Sequence, residues 1–228
     1  MIDLKKISLS LIFTLSGYCA YGTDGIMDRS YALGQQPYEQ LPICKAAIAQ
    51  ADGKIVVAGY SEMNGKKIFT VARLLQSGLL DQSFGKNGIS QTVFTNGETA
   101  SSAQAVMIDS KGKIVAAGFT NGIGNMCHAC LARYNQDGSL DKSFFGGRGV
   151  FKGTVITTFG SIEGMSQING LSETKDQKIV AVGARYQDKA VCFVVAKYNP
   201  TGSLDASFNA KASGSVSGYV CTQFDKST

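Results

Sequence analysis

The phrase GSLDKSF at residues 138–144 is written again as GSLDASF at 202–208, as GLLDQSF at 78–84 and, in altered form, as GIMDRSY at 25–31. A second phrase keeps step with it: DGKIVVAGY from Asp52, KGKIVAAGF from Lys111 and DQKIVAVGA from Asp176. The lysines Lys54, Lys113 and Lys178 lie 59 and 65 residues apart, and Gly25, Gly78, Gly138 and Gly202 lie 53, 60 and 64 apart. Two phrases that share one drifting period of about sixty residues describe a tandem repeat, and such periods belong to solenoids, propellers and arrays. The fold must therefore be one that can be extended by adding copies of a single small unit.

Each copy reads as four strands. AQAVMID (103–109) alternates as a half-buried strand does. The following KG, like DG in the first copy, predicts a two-residue hairpin turn with positive φ. KIVAAGF is a β-branched strand closed by Gly118, where the chain can bend or another backbone can approach closely. ACLARYN (129–135), with counterparts FTVARLL (69–75) and FVVAKYN (193–199), is a third strand, and SFFGGRGVFKGTVI supplies a fourth. Between the last two, GSLD reads as a corner. Its Gly permits the turn, its Asp accepts hydrogen bonds from nearby backbone N–H groups, and Leu140 and Phe144 flank it for burial between sheets. The expectation is an all-β chain with units at roughly 43–95, 102–160 and 167–221 and a leftover corner at 25–31. A β-trefoil, also built of three four-strand units, is the alternative fold.

These paired phrases resemble the delta-60 repeats of bacterial secreted and surface proteins, from residue 25 to residue 208. Tyr31 in place of Phe, Gln177 in place of the turn Gly and Asn209 in place of Gly depart from the pattern. The resemblance implies β-propeller blades and exposure outside the cell, but no particular activity, because propellers host many functions. Propellers usually close with four to eight blades, so three units pose a question. An open array, a dimer of six blades and a piece of a longer ancestor each answer it, and an N-terminal piece sharing a sheet with the C-terminal end is a further route to closure.

Residues 1–22 read differently. Lys5 and Lys6, a short apolar run (ISLSLIFTLSGY) and small residues at Ala20 and Gly22 describe a secretory signal peptide, leaving 23–228 as the repeat domain. The run is short for a membrane span, and bulky Tyr18 counts against lipid attachment at Cys19. Secretion, to the periplasm or the cell surface, is the expected localisation. Without these residues the net charge of +5 becomes +4. No basic stripe forms, which argues against nucleic acid as a partner. An exported chain tolerates disulfides, and Cys44, Cys127, Cys130, Cys192 and Cys221 remain, with their pairing open.

Candidate chemistry is sparse. Asn135, Asp137 and Asp141 imitate the start of a calcium loop, but the first copy keeps only Asp81 and the third only Asn199 and Asp205, so a turn explains them better. Cys127, His128 and Cys130 (CHAC) suggest zinc or a redox pair. The repeat places them on a strand, where residues three apart face opposite sides, and His128 is the only histidine. Cys130 then substitutes for a small buried residue, at the position of Thr70 and Val194. The acids that do not recur, Glu62, Glu98, Glu163, Glu173 and Asp188, fall in predicted loops. No catalytic, cofactor-binding or metal-ligating residue is assigned. The expected function is a non-enzymatic module that presents loops, chiefly 120–126 and 153–170, to a protein or glycan. The alternative is a propeller-type hydrolase using loop carboxylates.

Overall fold

The structure, a computed structural model, describes residues 42–123, 126–147, 151–160, 164–187, 190–210 and 218–223. The segment expected to be a signal peptide, the corner at 25–31, Glu163 and Asp188 lie outside the described residues, as does any sheet shared between the two ends. Among the described residues every regular element is a strand. The first sheet orders β1 (Ile43–Ala49), β2 (Ile55–Met63), β3 (Lys66–Leu74) and β4 (Ile89–Thr92). The second holds β5 (Ser101–Ile108), β6 (Ile114–Ile123), β7 (Met126–Tyr134) and β9 (Thr154–Thr157), with β8 (Gly146–Gly147) added in parallel at its edge. The third orders β10 (Met165–Glu173), β11 (Ile179–Gln187), β12 (Ala190–Tyr198) and β13 (Tyr219–Thr222).

The register repeats with the sequence. The first strand of each sheet carries a bulge, at Cys44/Ala46, Ala103/Ala105 and Ile168/Gly170, and a glycine of the second strand lies opposite each one: Gly59, Gly118 and Gly183. A Cβ on these glycines would sit 1.9, 2.0 and 2.0 Å from the carbonyl oxygens of Ile43, Ser102 and Gln167. The repeated glycine of the KIV phrase is thus a matter of space, not of φ. The hairpin turn before it departs from expectation. Gly53 donates to the Gln50 carbonyl and Gln50 to that of Lys54, giving a three-residue loop with only its last residue left-handed. The pairing needs one positive φ, which Gln177 supplies at 61° in the third copy.

Sheets pack face to face, and a core fills each of the two junctions. Val56, Ala58, Phe69, Val71 and Phe84 of the first unit meet Ala103, Ala116, Cys130 and Tyr134 of the second. Val115, Leu131 and Phe144 of the second meet Ile168, Ile179, Val194 and Tyr198 of the third. The innermost strands β5 and β10 each pack on the preceding sheet, and the first and third sheets share no substantial contact among the described residues. The array is therefore propeller-like and open, with three separate meanders rather than the shared barrel of a trefoil.

Two predicted loops are largely strand. β6 runs to Ile123 and β7 starts at Met126, so 120–126 is the tip of a long hairpin. Within 153–170, β9 and β10 leave only 158–164 as connection. Both segments carry β-branched or apolar residues whose alternation continues that of the neighbouring strands, which a repeat alignment reads as insertion.

Candidate functional site

The two repeated phrases meet in space. Asp141 Oδ1 accepts from the backbone N–H and hydroxyl of Ser143, the turn role expected of it. Its Oδ2 accepts from Lys113 Nζ at 2.7 Å and Arg133 Nε at 2.8 Å. Asp81 holds Ser83, Arg73 at 2.8 Å and Lys54 at 3.1 Å in the same way. Asp205 holds Ser207 and Lys178 at 2.8 Å, with Lys197 at 3.9 Å. The Lys of one phrase thus neutralises the Asp of the other, a link missed in the sequence although both residues recur in all three copies. Burial works to raise the Asp81 and Asp141 pKa values, but hydrogen bonds from serine and lysine, aided by the arginine charge, hold both well below the usual carboxylate range. Hydrogen bonds from Lys178 and Ser207 bring Asp205 to about 2.

This cluster also disposes of the calcium reading. Lys113 Nζ donates to Asn135 Oδ1 and Asp141 Oδ2, placing an ammonium where the ion would stand, and Asp137 turns to Ser139. The arginines then tie units together. Arg133 Nη1 donates to the Pro200 carbonyl at 2.7 Å, and Arg73 reaches the Gln136 carbonyl across the first junction.

CHAC lies within β7, as expected. Cys130 is fully buried opposite Gly118, the place that Thr70 and Val194 take opposite Gly59 and Gly183. Burial pushes the thiols of Cys130, Cys127 and Cys44 up, the last to about 11, so all three stay protonated near neutral pH. Cys192 and Cys221 form a disulfide with Cα atoms 5.6 Å apart, joining β12 to β13. Their adjacency depends on the register of those strands, which the sequence spacing does not reveal.

The non-recurring acids scatter. Glu62 lies on β2 and Glu173 ends β10, in strands rather than the predicted loops. Glu173 accepts from Ser110 N at 2.7 Å and from its hydroxyl at 3.0 Å, linking the second and third units. Glu98, nearly buried, accepts from the Phe94 N–H at 2.8 Å. A two-carboxylate hydrolase needs acids about 5–9.5 Å apart across a substrate, and Glu98 and Glu173 are each taken up by the bonds just described.

The concave surfaces that remain repeat at the junctions. At the first, Gln91, Thr92 and Val93 face Leu140, Lys142, Phe151 and Lys152 across a groove of about 650 Å³. At the second, Val155 to Thr158 face Tyr198 and Gly202 to Leu204 across about 330 Å³. Register equates Thr92 with Thr157 and Leu140 with Leu204. Each floor is closed by one bond, Thr92 Oγ1 to the Tyr134 hydroxyl at 2.5 Å and Thr157 Oγ1 to the Tyr198 hydroxyl at 2.8 Å. The walls differ. The first groove carries two exposed lysines, an exposed phenyl ring (Phe151, 38%) and exposed Val93. Among the described residues, the second has no charged side chain and no carboxylate lines either groove.

Comparison with known proteins follows the same division into units. The family described as "Domain of unknown function (DUF5122) beta-propeller" matches residues 50–84, 112–144 and 174–208, each stretch running from the hairpin turn to the end of the GSLD corner. No curated protein matches the chain. Among solved structures, a fucose lectin from Kordia zhangzhouensis in complex with methyl-fucoside is similar at 14% identity and a TM-score of 0.38, over 79% of this chain and 99% of that one. No residue is carried over from it. The three family matches fall one to each sheet, in agreement with the propeller-like repeat fold of the structure.

Proposed function

We propose that the chain is an exported, non-catalytic binding module that takes an acidic glycan in the groove at its first junction. One observation carries this reading: Lys142 and Lys152 share that groove with the exposed Phe151 ring and with Gln91, while among the described residues no charged side chain lines the equivalent groove at the second junction. A sugar ring offers an apolar C–H face and a rim of hydroxyls. An aromatic side chain complements the first, and ammonium groups complement carboxylates with charge-assisted hydrogen bonds. Neither lysine forms an ion pair among the described residues. Gln91 is oriented by its Nε2 bond to Ser61 Oγ at 2.7 Å. The basic start and apolar run of residues 1–22 support export, where such polymers are met.

Calorimetric titration of the full chain with uronate oligosaccharides and with neutral oligosaccharides of equal length tests the proposal. Binding of the uronates, lost in Lys142→Gln/Lys152→Gln and weakened by salt, is the expected result. Failure of uronates to bind, or binding indifferent to the double substitution, overturns it.

A further inference from the structure

The outer face of the third sheet is apolar and open. Tyr186, Val191 and Phe193 are 42%, 55% and 46% exposed, and Val180, Val182, Val195 and Val220 are partly exposed around them. The pairings Tyr186↔Val191, Val182↔Val195 and Val180↔Lys197 put these side chains on one side of the sheet. The repeat supplies the control. The positions of Val180, Val182, Phe193 and Val195 are Val56, Ala58, Phe69 and Val71 in the first sheet and Val115, Ala117, Ala129 and Leu131 in the second, and all eight are fully buried under the next sheet, whereas Tyr186 and Val191 stand where the first sheet has the exposed pair Glu62 and Lys67. The third sheet is thus made as a packing surface and has no successor in the described chain.

From this we infer that the face packs against the same face of a second copy of this chain, about a two-fold axis. Three observations select that occupant. Lys197 is the face's one charged side chain on β11 and β12 and lies toward one end of the patch, so polyelectrolytes find little to bind. The opposite end of the array cannot serve a head-to-tail contact, because Val57, Ala72, Leu74 and Leu80 on the first sheet's free side are already buried. It also lacks the tyrosine that closes both internal junctions, Leu74 standing where Tyr134 and Tyr198 stand. That leaves the face itself, apolar across β11 and β12 among the described residues. Four strands spaced about 4.8 Å and some eight residues at about 3.3 Å give a footprint of about 20 by 25 Å. That suits an interface at the small end of the specific range, a reversible dimer rather than an obligate one.

Light scattering on the full chain across a dilution series tests the inference. A monomer–dimer equilibrium in the micromolar range is expected, and both Phe193→Glu and the milder Val191→Lys should shift it to monomer while leaving the strand circular dichroism unchanged. Met63→Lys, at an exposed hairpin tip far from the face (Met63 is 49% exposed), should leave the dimer intact. Amide exchange in β11 and β12 should slow with rising concentration. A chain that stays monomeric at high concentration overturns the inference, as does a dimer that survives both face substitutions. The glycan titration reads the first junction and does not depend on this outcome.

Discussion

Phe69 and Phe193 are the same residue at the same position of the repeat, opposite Tyr60 and Ala184 in their hairpins. Phe69 is fully buried and stacks edge-on against Phe94 with ring centroids 5.1 Å apart, whereas Phe193 is 46% exposed. Arg73 and Lys197 differ in the same way. The arginine is 6% exposed and bonded into the next unit's corner, while the lysine, 3.9 Å from Asp205, reaches no following unit among the described residues. Equivalent positions of the repeat thus yield a core residue in one unit and a surface residue in another. What decides is the neighbour, because burial stabilises only when another surface excludes water.

This contrast can be broken most directly by truncation. Phe69→Ala should cost about 3–5 kcal/mol in urea unfolding, and Phe193→Ala below about 1 kcal/mol at low protein concentration. Equal losses in dilute solution would mean that the two faces are equally covered. Gly118→Ala and Gly183→Ala sharpen the comparison from the other side. Their clash with a bulge carbonyl lies inside one sheet, so each should lose about 2–3 kcal/mol or more whether or not a neighbour covers that sheet. A clear difference between them would show that the bulges are not equivalent.

Smaller effects concern the corners. Tyr134→Phe and Tyr198→Phe each remove one hydroxyl bond across a junction, at about 1 kcal/mol. Acid should loosen all three corners. The folded pKa values of Asp81, Asp141 and Asp205 lie below the roughly 3.9 of an unfolded aspartate. The stability they contribute is present above that value and is lost as pH falls through the folded values, about 2 for Asp205. Melting temperature should therefore drop between about pH 5 and pH 2. Asp141→Asn should flatten that profile more than the corresponding change at exposed Asp137, and a profile unaltered by Asp141→Asn would remove the charge cluster from the account.

The strands and corners were legible because each rests on local rules: alternation, β-branching, and a glycine or tolerant residue where φ must be positive. The same holds for Cys130, whose repeat-mates Thr70 and Val194 announce a buried slot. The partnership of Lys113 with Asp141 was within reach, since both recur together, but nothing short-range joins residues 28 apart. The strand character of 120–126 and 153–170 was hidden because those segments have no matched copy to align.

The amino-acid order by itself determined the unit: four strands, a bulge answered by glycine, a corner held by aspartate, repeated three times. Only the tertiary structure decided which copies of a side chain are core, that Cys192 meets Cys221, that Lys142 and Lys152 share the first groove, and that the third sheet's outer face is exposed among the described residues. The unit is written in contacts a few residues apart, which a short phrase can specify. The rest depends on which surface arrives from another unit, and a phrase that reads alike in every copy carries no record of its neighbour.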